Sequence, residues 1–492
     1  MRTRAGLRAS KLLALPGAPA AAVGLLVVVY VATFGTLTWF QHENFGTFGY
    51  DMGLYDQGIW LVSRFKDPFV TIRGLNFFAH HVNLITLLFV PAYWLGAGPH
   101  FLYLVETVWM ALGALPLFLL ARDRLESGWL AVAVAGSFLL YPALEWINWW
   151  HFHPDALIIT PLLFAWWLAN RRRWGWFAVA VAVALACKED AALAVLMLGL
   201  VLAVLGQRRA GLVTAAAGAG WFLVATKVVI PAAGGGAGPF YQELFPGFGD
   251  SLGEIVWNLV AHPSRLLGLA TLPDRLTYFW QIMAPVAFLP LAAPLVLLIS
   301  VPQTVINVAS GHALTHDIHY HYSAIVLTGV FLATVEGMAW IGRGPGTRRA
   351  LVAVLLTTSL AANVAWSPSP LGRQYDDGIW ARAAPRHATV RAALRLVPAG
   401  AGVSASYNLI PHLTHRTYAY EFPNPWVVAN WGAHGEDPPD PATADYLVID
   451  ERLLGDQRPL FDRLLSPKGG YTRVFASDGI VVARRQPGAG GS

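Results

Sequence analysis

Long apolar runs recur along this chain, separated by short polar segments. Two examples are Val23–Phe40 and Leu351–Trp366, which are apolar on every side of a helix rather than on one stripe. A helix needs roughly 20 apolar residues to cross the ~30 Å hydrocarbon layer of a bilayer. The repeated runs therefore predict an α-helical protein that crosses the membrane many times.

Clusters of Arg and Lys near the helix ends predict the orientation, because such clusters favour the cytoplasmic side. The clusters are Arg2/Arg4/Arg8/Lys11, Arg122/Arg124, Arg171/Arg172/Arg173, Arg208/Arg209 and Arg343/Arg348/Arg349. Placing all of them inside predicts about eleven spans, a cytoplasmic N-terminus and an outer C-terminus. The expected spans are Val23–Phe40, Phe101–Ala121, Trp129–Trp146, Ala156–Asn170, Trp174–Cys187, Ala191–Gly206, Leu212–Ile230, Leu272–Leu291, Pro294–Val308, Val326–Ile341 and Leu351–Trp366.

Two long segments between these spans are expected to stay outside the membrane. Residues 41–100 form the first outer loop, and His81–Leu95 within it is expected to be a half-buried helix. A span there would move Arg122 and Arg124 to the wrong side. Residues 231–272 form a second outer loop, with GGGAGP followed by a surface helix.

The C-terminal part changes character and divides the chain into domains. Residues 1–366 form the transmembrane domain, and 367–485 are expected to form a small extracytoplasmic α/β domain. HATVRAALRLVP is amphipathic, and GVSASYNLI, RTYAYEF, ADYLVID and TRVFASDGIVVARR are short strands between turn residues. The tail 486–492 is expected to be disordered.

The composition is that of a membrane protein, and the charge gives information about which classes of binding partner are expected. The chain is 55% hydrophobic and 13% charged, with a mean hydropathy of +0.49, well beyond a soluble domain. The net charge of +5 follows from the inner Arg clusters, so it gives no sign of nucleic-acid binding. The first apolar run is too long for a cleaved signal peptide. The single cysteine, Cys187, excludes an intramolecular disulfide.

With this topology, the unusual polar clusters all fall on the outer face, although the topology was set by the Arg clusters alone. They are Asp51/Asp56, His80/His81, His151/His153/Asp155, Lys188/Glu189/Asp190 and the His-rich segment with His312, His316, Asp317, His319 and His321. Charges near bilayer depth are costly and tend to serve function. We therefore expect an outer site built from these clusters.

Each cluster also has a structural interpretation. Glu189 and Asp190 can cap the next helix, although three charges in one turn exceed what a cap needs. HFHPD can be a proline-started helix beside an interfacial tryptophan belt. His316, Asp317 and His319 can ligate a divalent metal, but their spacing alone is weak support.

The stretch FGYDMGLYDQGIW carries the two acids nearest the first span. Asp51 and Asp56 are five residues apart, so on a helix they need not touch. Asp51 can cap the following helix, whose apolar side can lie on the bilayer. Alternatively, one acid acts as a base while the other binds substrate or orients the loop.

Several motifs together resemble those of a family of bacterial and archaeal polytopic membrane proteins that share a domain of unknown function. They are FGYDMGLYDQGIW, FFAHHVN, HFHPDALIITPLLF, CKEDAAL and VSASYNLIPHLTHRTYAYEFP. That family in turn resembles the GT-C membrane glycosyltransferases, which place an acid just after the first span and often end in a soluble domain. The resemblance implies a GT-C-like fold and covers most of the chain.

The function implied is transfer of a sugar from a polyprenyl-phosphate donor to an extracytoplasmic glycan, lipid or protein in the cell envelope. Asp51 is the best match to the family acid, with Asp56 second, so both are candidate catalytic residues. The phosphate needs a cation, which Lys188 or a protonated His153 can supply. The candidate donor-binding residues are His80, His81, His153, Asp155, Lys188, Glu189, Asp190, His319, His321 and Tyr322.

Two other classes of function remain open from the sequence. A transporter or flippase for an envelope precursor would also place charges in an outer cavity, but no inverted repeat is visible. A non-catalytic scaffold displaying the C-terminal domain would leave the polar clusters unexplained. The sequence does not identify the sugar, the acceptor, the oligomeric state or a requirement for metal.

Overall fold

The computed structural model describes residues 17–234, 244–376, 382–427 and 440–487, and it is mostly helical with a small C-terminal sheet. The Arg2–Lys11 cluster, most of GGGAGP and most of the tail lie outside these ranges. The helices of the apolar bundle are Ala18–Glu43, Pro99–Leu125 with a break at Gly113, Gly128–Leu139, Pro142–Trp150, Ile159–Asn170, Trp174–Cys187, Ala191–Val204, Arg208–Ala232, Pro273–Met283, Pro294–Ala309, His321–Ile341 and Pro345–Trp366.

Five of the described helices are long and apolar enough to cross a membrane by themselves. They are Ala18–Glu43, Pro99–Leu125, Arg208–Ala232, His321–Ile341 and Pro345–Trp366. A sixth span results if Gly128–Leu139 and Pro142–Trp150, bent by 47° at their junction, are counted as one. The other expected spans correspond to apolar helices of fewer than 18 residues or to helices interrupted by turns.

The expected span Leu272–Leu291 is not one continuous helix. Its helix ends at Met283, and the chain then passes through short 3₁₀ turns. Ala287 and Phe288 both take left-handed backbone conformations, with φ of 52° and 56°. Proline at 285 and 290 removes two backbone donors that a continuous helix would use.

Glycines set the closest helix pair in the bundle. Ala191–Val204 and Arg208–Ala232 form an antiparallel hairpin. A Cβ on Gly199 would lie 2.3 Å from the Ala215 nitrogen, and one on Gly211 would lie 2.4 Å from the Ala203 nitrogen. Small residues that let backbones approach in this way are the usual packing device between membrane helices.

One end of the bundle collects three of the Arg clusters. Arg124 donates to both carboxylate oxygens of Glu336 at 2.7 Å and to Asn170 at 2.6 Å. In two further pairs, Arg171 with Asp123 and Arg348 with Glu126, the acids flank Arg124 in sequence, so these pairs lie at the same end of the bundle. The clusters are therefore neighbours in space, as the topology derived from the sequence requires.

The polar clusters lie at the other end of the same helices. Pro99–Leu125 has 27 residues, so it carries the chain roughly 40 Å from its polar start to Arg124. His321–Ile341 runs in the opposite sense, from His321 to the residues around Glu336. The shorter helices at the polar end are Leu54–Ser63, Phe77–His80, Leu84–Trp94, Leu252–Ala261 and Pro263–Ala270.

The first outer loop contains two short paired strands, β1 (Phe69–Val70) and β2 (Leu75–Asn76), and the C-terminal part contains a five-stranded mixed sheet. The strands of this sheet are β3 (Val403–Ala405), β4 (Ala419–Glu421), β5 (Tyr446–Asp450), β6 (Tyr471–Ser477) and β7 (Ile480–Arg485), arranged in the order β4-β3-β5-β7-β6. β3 pairs in parallel with β4 and β5, and β7 pairs antiparallel with β5 and β6. Helices Arg386–Leu394 and Arg458–Leu464 accompany the sheet. These strands confirm the small sheet expected from the sequence.

This sheet docks directly on the first outer loop. The Gly49 amide donates to the Tyr407 carbonyl at 2.8 Å. The Thr71 hydroxyl donates to the Ala419 carbonyl at 2.6 Å, beside the two-residue strands β1 (Phe69–Val70) and β2 (Leu75–Asn76). A Cβ on Gly49 would lie 2.3 Å from Ile410, so this contact requires glycine. The C-terminal domain thus holds the segment that carries Asp51.

Candidate functional site

Asp51 lies in a π-helical turn, Gly49–Gly53, that immediately precedes helix Leu54–Ser63. It does not cap that helix, because Gly53 takes the N-cap position and no side chain caps it. The apolar face of the helix packs into the protein rather than on the bilayer, since Ile59 is 1% exposed and Leu61 is completely buried. The structure therefore leaves the Asp51 carboxylate available for other partners.

Two side chains from the HFHPD region face this carboxylate. Trp150 Nε1 donates to Asp51 Oδ2 at 3.2 Å, and His153 Nε2 lies 3.5 Å from Oδ1. His153 Nδ1 donates to the His151 carbonyl at 3.0 Å, since a carbonyl oxygen can only accept. Both ring nitrogens of His153 therefore face oxygen atoms.

These neighbours keep Asp51 ionised. Burial raises the pKa of the Asp51 carboxyl, but the hydrogen bond and charge of His153, reinforced by His151 and His321, bring that pKa well below its usual value. The side chain of Asp51 remains 22% exposed, whereas that of His153 is 6% exposed. Asp51 is thus an accessible anion at the rim of a buried polar cluster.

Lys188 is the buried cation of this cluster. Its Nζ lies 2.9 Å from Asp155 Oδ1 and 3.4 Å from Asp190 Oδ2. Burial lowers the pKa of Lys188, but the charges of Asp155 and Asp190 raise it more, so that it ends well above its usual value. The same pairing brings the pKa of Asp155 well below normal, although burial alone raises it. The cationic form of Lys188 is therefore favoured in the turn between the two apolar helices.

Glu189 turns away from Lys188 to the first outer loop. Its carboxylate lies 2.6 Å from His81 Nδ1 and accepts from the Val82 amide at 3.0 Å. The adjacent His80 ring stacks on His81 at 4.1 Å between centroids, because the helix ends at His80 and His81 is extended. The Lys188–Asp190 turn is thereby connected to the FFAHHVN segment, and it is more than a helix cap.

His321 and Tyr322 complete the cluster. The His321 ring stacks on His153 with centroids 3.7 Å apart. Both His321 and Tyr322 lie within electrostatic range of Asp51 and of Lys188. The structure therefore brings ten of the sequence-selected residues into one region: Asp51, His80, His81, His153, Asp155, Lys188, Glu189, Asp190, His321 and Tyr322.

Asp56 lies elsewhere, in a completely buried contact with the C-terminal domain. Tyr93 donates to its Oδ1 at 2.6 Å, the Thr414 hydroxyl donates to its Oδ2, and His415 Nε2 lies 3.2 Å from that oxygen. Both carboxylate oxygens of Asp56 are thus occupied by side chains of the protein. This environment favours a structural role for Asp56 over the catalytic role considered from the sequence.

The proposed metal-ligand set is also distributed over separate contacts. His316 Nε2 pairs with Asp274 Oδ2 at 3.1 Å, while His319 Nδ1 pairs with Asp317. The His319 ring packs against Trp146, with centroids 4.2 Å apart. Within the described ranges, no group of three or more His, Cys, Asp or Glu side chains is arranged to hold a metal ion.

Sequence reasoning missed several residues of the cluster. Arg73 is 4% exposed and lies close to His80, with Nε 3.4 Å from the His80 Nδ1 atom. Its guanidinium also lies over the Tyr50 ring, 5.7 Å from the centroid. Glu106, a completely buried acid within an apolar span, accepts from the His153 amide at 3.2 Å. An isolated acid inside a 27-residue span is itself a sequence signal of function.

An apolar groove of about 370 Å³ runs between the first span and helix Pro99–Leu125 toward this region. Its lining includes Val31, Gly35, Trp39, Phe40, Tyr103 and Leu104. The Tyr103 hydroxyl lies 2.9 Å from His151 Nδ1. One lining residue of the groove therefore contacts the HFHPD segment, whose His153 faces Asp51.

A family model described as "Predicted membrane protein (DUF2079)" matches residues 41–482. This range includes the first outer loop, the bundle helices that follow the first span, and most of the C-terminal sheet. No curated protein matches the chain.

Two solved structures illustrate the fold similarity. ArnT from Cupriavidus metallidurans bound to undecaprenyl phosphate aligns with a TM-score of 0.54 at 14% identity, covering 96% of this chain and 100% of that one. The Archaeoglobus fulgidus oligosaccharyltransferase in complex with Zn and sulfate aligns with a TM-score of 0.42 at 14% identity, covering 94% and 73%. The first alignment shows a similar fold, and the second carries no further argument.

Proposed function

This chain belongs to the DUF2079 family of predicted membrane proteins, and we propose that it is a membrane glycosyltransferase that uses a polyprenyl-phosphate sugar. The family membership confirms the resemblance inferred from the motifs, and the fold is GT-C-like. The sugar donor, the acceptor and the roles of individual residues belong to the proposal. Fold similarity alone does not establish a reaction.

The observation that carries the proposal is the placement of a partly exposed acid and a buried cation in one polar cluster, next to a segment that an apolar groove's lining contacts. Asp51 and Lys188 are both within electrostatic range of His321 and Tyr322. The groove is lined mainly by apolar side chains of the first span and of helix Pro99–Leu125, and its lining residue Tyr103 contacts His151. In the proposal, a prenyl chain lies along the apolar lining and its phosphate reaches the polar cluster.

In the proposed reaction, an acceptor hydroxyl attacks the anomeric carbon of the donor sugar. The bond between that carbon and the phosphate oxygen breaks, and polyprenyl phosphate leaves with the electron pair. Asp51 accepts the hydroxyl proton, and Lys188 compensates the charge of the phosphate. Because the pKa of the Asp51 carboxyl is lowered, its ionised form is favoured, and this form can accept a hydrogen bond from the acceptor hydroxyl.

The cluster is proposed to face the outside of the cell membrane. Three Arg clusters meet at the opposite end of the bundle, which favours the inner side. With about eleven crossings, the N-terminus would be cytoplasmic and the C-terminal domain extracytoplasmic. The acceptor would then be an envelope glycan, lipid or protein.

The orientation is tested by single-cysteine labelling in intact cells. Asp456 in the C-terminal domain and Thr347 near the inner Arg cluster are both exposed, and the native Cys187 is buried. We expect an impermeant thiol reagent to label Asp456→Cys in intact cells and Thr347→Cys only after permeabilisation. The reverse pattern would overturn the topology.

The function is tested by incubating the purified protein with a panel of radiolabelled polyprenyl-phosphate sugars and envelope extracts. We expect the label to move from lipid to acceptor with wild type and not with Asp51→Asn. A parallel measurement of lipid scrambling in proteoliposomes examines the transporter alternative. Lipid movement without sugar transfer would contradict the proposal.

A further inference from the structure

Glu106 lies inside the second long membrane helix, Pro99–Leu125, and its side chain is completely buried. A charged residue type at such a position is costly and persists where it has a task. Its Oε1 accepts from the His153 amide at 3.2 Å. In the part of the chain that the structure describes, its Oε2 has no hydrogen-bond partner.

The His153 amide needs this acceptor. His153 is extended, with φ −138° and ψ 131°, at the break between helix Pro142–Trp150 and the turn starting at Pro154. No helical carbonyl is available to an extended residue, and His153 is only 5% exposed. A buried amide without a partner is strongly disfavoured. Glu106 therefore stabilises the bend that turns the His153 ring toward Asp51.

Glu106 is the middle member of a row on one helix face. Tyr103, Glu106 and Trp109 are spaced by three residues, which places them on the same side of the helix. Tyr103 contacts His151, and Trp109 Nε1 donates to the Leu157 carbonyl at 2.8 Å. The three side chains thus contact residues 151–157 before, at and after the bend at His153.

We propose that Glu106 is a positioning residue for glycosyl transfer: it fixes the His153 backbone from within the membrane and thereby sets the His153–Asp51 contact. The inference rests on the proposed function for its kinetic consequence, but its structural part is independent of it. A mobile His153 would contact Asp51 less often. The pKa of the Asp51 carboxyl would then rise toward its usual value.

The test compares three substitutions at this position. Glu106→Gln keeps an oxygen acceptor for the His153 amide, Glu106→Asp withdraws the acceptor by one methylene, and Glu106→Leu removes it. Misplacing a reacting group by about 1 Å can cost about 100-fold in rate. We expect about a 10- to 100-fold lower kcat for Asp and Leu, an unchanged KM for the donor lipid, and near-wild-type kinetics for Gln.

The pH profile separates positioning from simple stability. In Glu106→Asp and Glu106→Leu, the acidic limb of kcat should move to higher pH, whereas a structural defect alone would lower the amount of active protein without moving that limb. Thr107→Val, one residue along the same helix, is the matched control and should change neither kcat nor its pH dependence. If Glu106→Leu does not fold, the comparison of Asp with Gln decides the question.

A second readout does not require transfer activity. Histidine-labelled protein, with the His153 signal assigned by its loss in His153→Gln, reports the environment of this ring by NMR. We expect the chemical shift of the His153 ring to change in Glu106→Asp and to be preserved in Glu106→Gln. An unchanged His153 signal together with unchanged kinetics in Glu106→Asp would overturn the inference. Absence of transfer in the wild type would contradict the proposed function and leave this structural test intact.

Discussion

Asp51 and Asp56 are five residues apart in the same loop, yet they lie in opposite environments. Asp51 is partly exposed and faces His153 and the Trp150 ring nitrogen. Asp56 is completely buried and is occupied by Tyr93, Thr414 and His415. The hydrogen-bonding capacity of Asp56 is used inside the protein, whereas Asp51 retains an exposed edge.

The difference shows how the fold separates two chemically identical side chains. The π-helical turn Gly49–Gly53 directs Asp51 toward the membrane bundle, while Asp56 lies in the following helix, on the side facing the C-terminal domain. A carboxylate that serves substrate needs an open edge, and one that holds two domains together needs a closed network. We therefore assign the proposed catalytic role to Asp51 and a docking role to Asp56.

Substitution of Asp51 should give the largest loss of activity. Asp51→Asn keeps the size of the side chain and its contact with Trp150, but it removes the base. Loss of a general base typically lowers the rate by about two to four orders of magnitude. We expect that reduction in kcat for sugar transfer, measured on a variant that remains folded in detergent at the assay temperature. Full activity in Asp51→Asn would contradict the role of this residue.

Substitution of Lys188 should give the second-largest effect, a loss of donor binding. Lys188→Ala removes the cation proposed to meet the phosphate, and loss of a hydrogen bond to a charged group costs about 1.5–3 kcal/mol. We expect donor affinity to fall by roughly 10- to 100-fold, measured by direct binding of labelled polyprenyl phosphate, with less effect in Lys188→Arg.

Stability must be measured alongside this change, because Lys188 also pairs with Asp155. Asp155→Asn is the matched control: it weakens the ion pair but leaves the cation in place. If the two variants lose stability equally and both retain donor affinity, Lys188 serves only to neutralise the acids.

Asp56 should give a stability effect rather than a catalytic one. Asp56→Ala leaves the buried Tyr93 and Thr414 hydroxyls without their acceptor, and each such loss costs about 1–3 kcal/mol. We expect a lower thermal midpoint and easier proteolytic release of the C-terminal domain, with transfer retained by the folded fraction at low temperature. A normal midpoint with abolished transfer would instead place the catalytic acid at position 56.

Some features of this fold and site could be predicted from the sequence, and others could not. The apolar runs, the Arg clusters and the strand pattern predicted a membrane bundle with a C-terminal sheet, because each depends on local composition. Asp51 and Lys188 were expected in one site only because the predicted topology placed both on the same side of the membrane. The separation of Asp51 from Asp56 was not predictable, since it depends on a π-helical turn and on Thr414, more than 350 residues away. Glu106 was also missed, because its partner, the His153 amide, lies in a different segment of the chain.

The smallest effect should come from the exposed edge of the Asp56 network. Burial lowers the pKa of His415, but the Asp56 carboxylate raises it more, so it lies above its usual value. Because the folded-state pKa is the higher one, this contact should stabilise fully below about pH 6.5 and lose its contribution as the pH rises through the folded pKa. His415 is 39% exposed, so screening should limit the effect to about 0.5 kcal/mol. We expect the midpoint difference between wild type and His415→Asn to be present at pH 5.5 and to vanish at pH 9. A difference that grows with pH would mean that the Asp56–His415 pair does not contribute in the cationic form of the histidine.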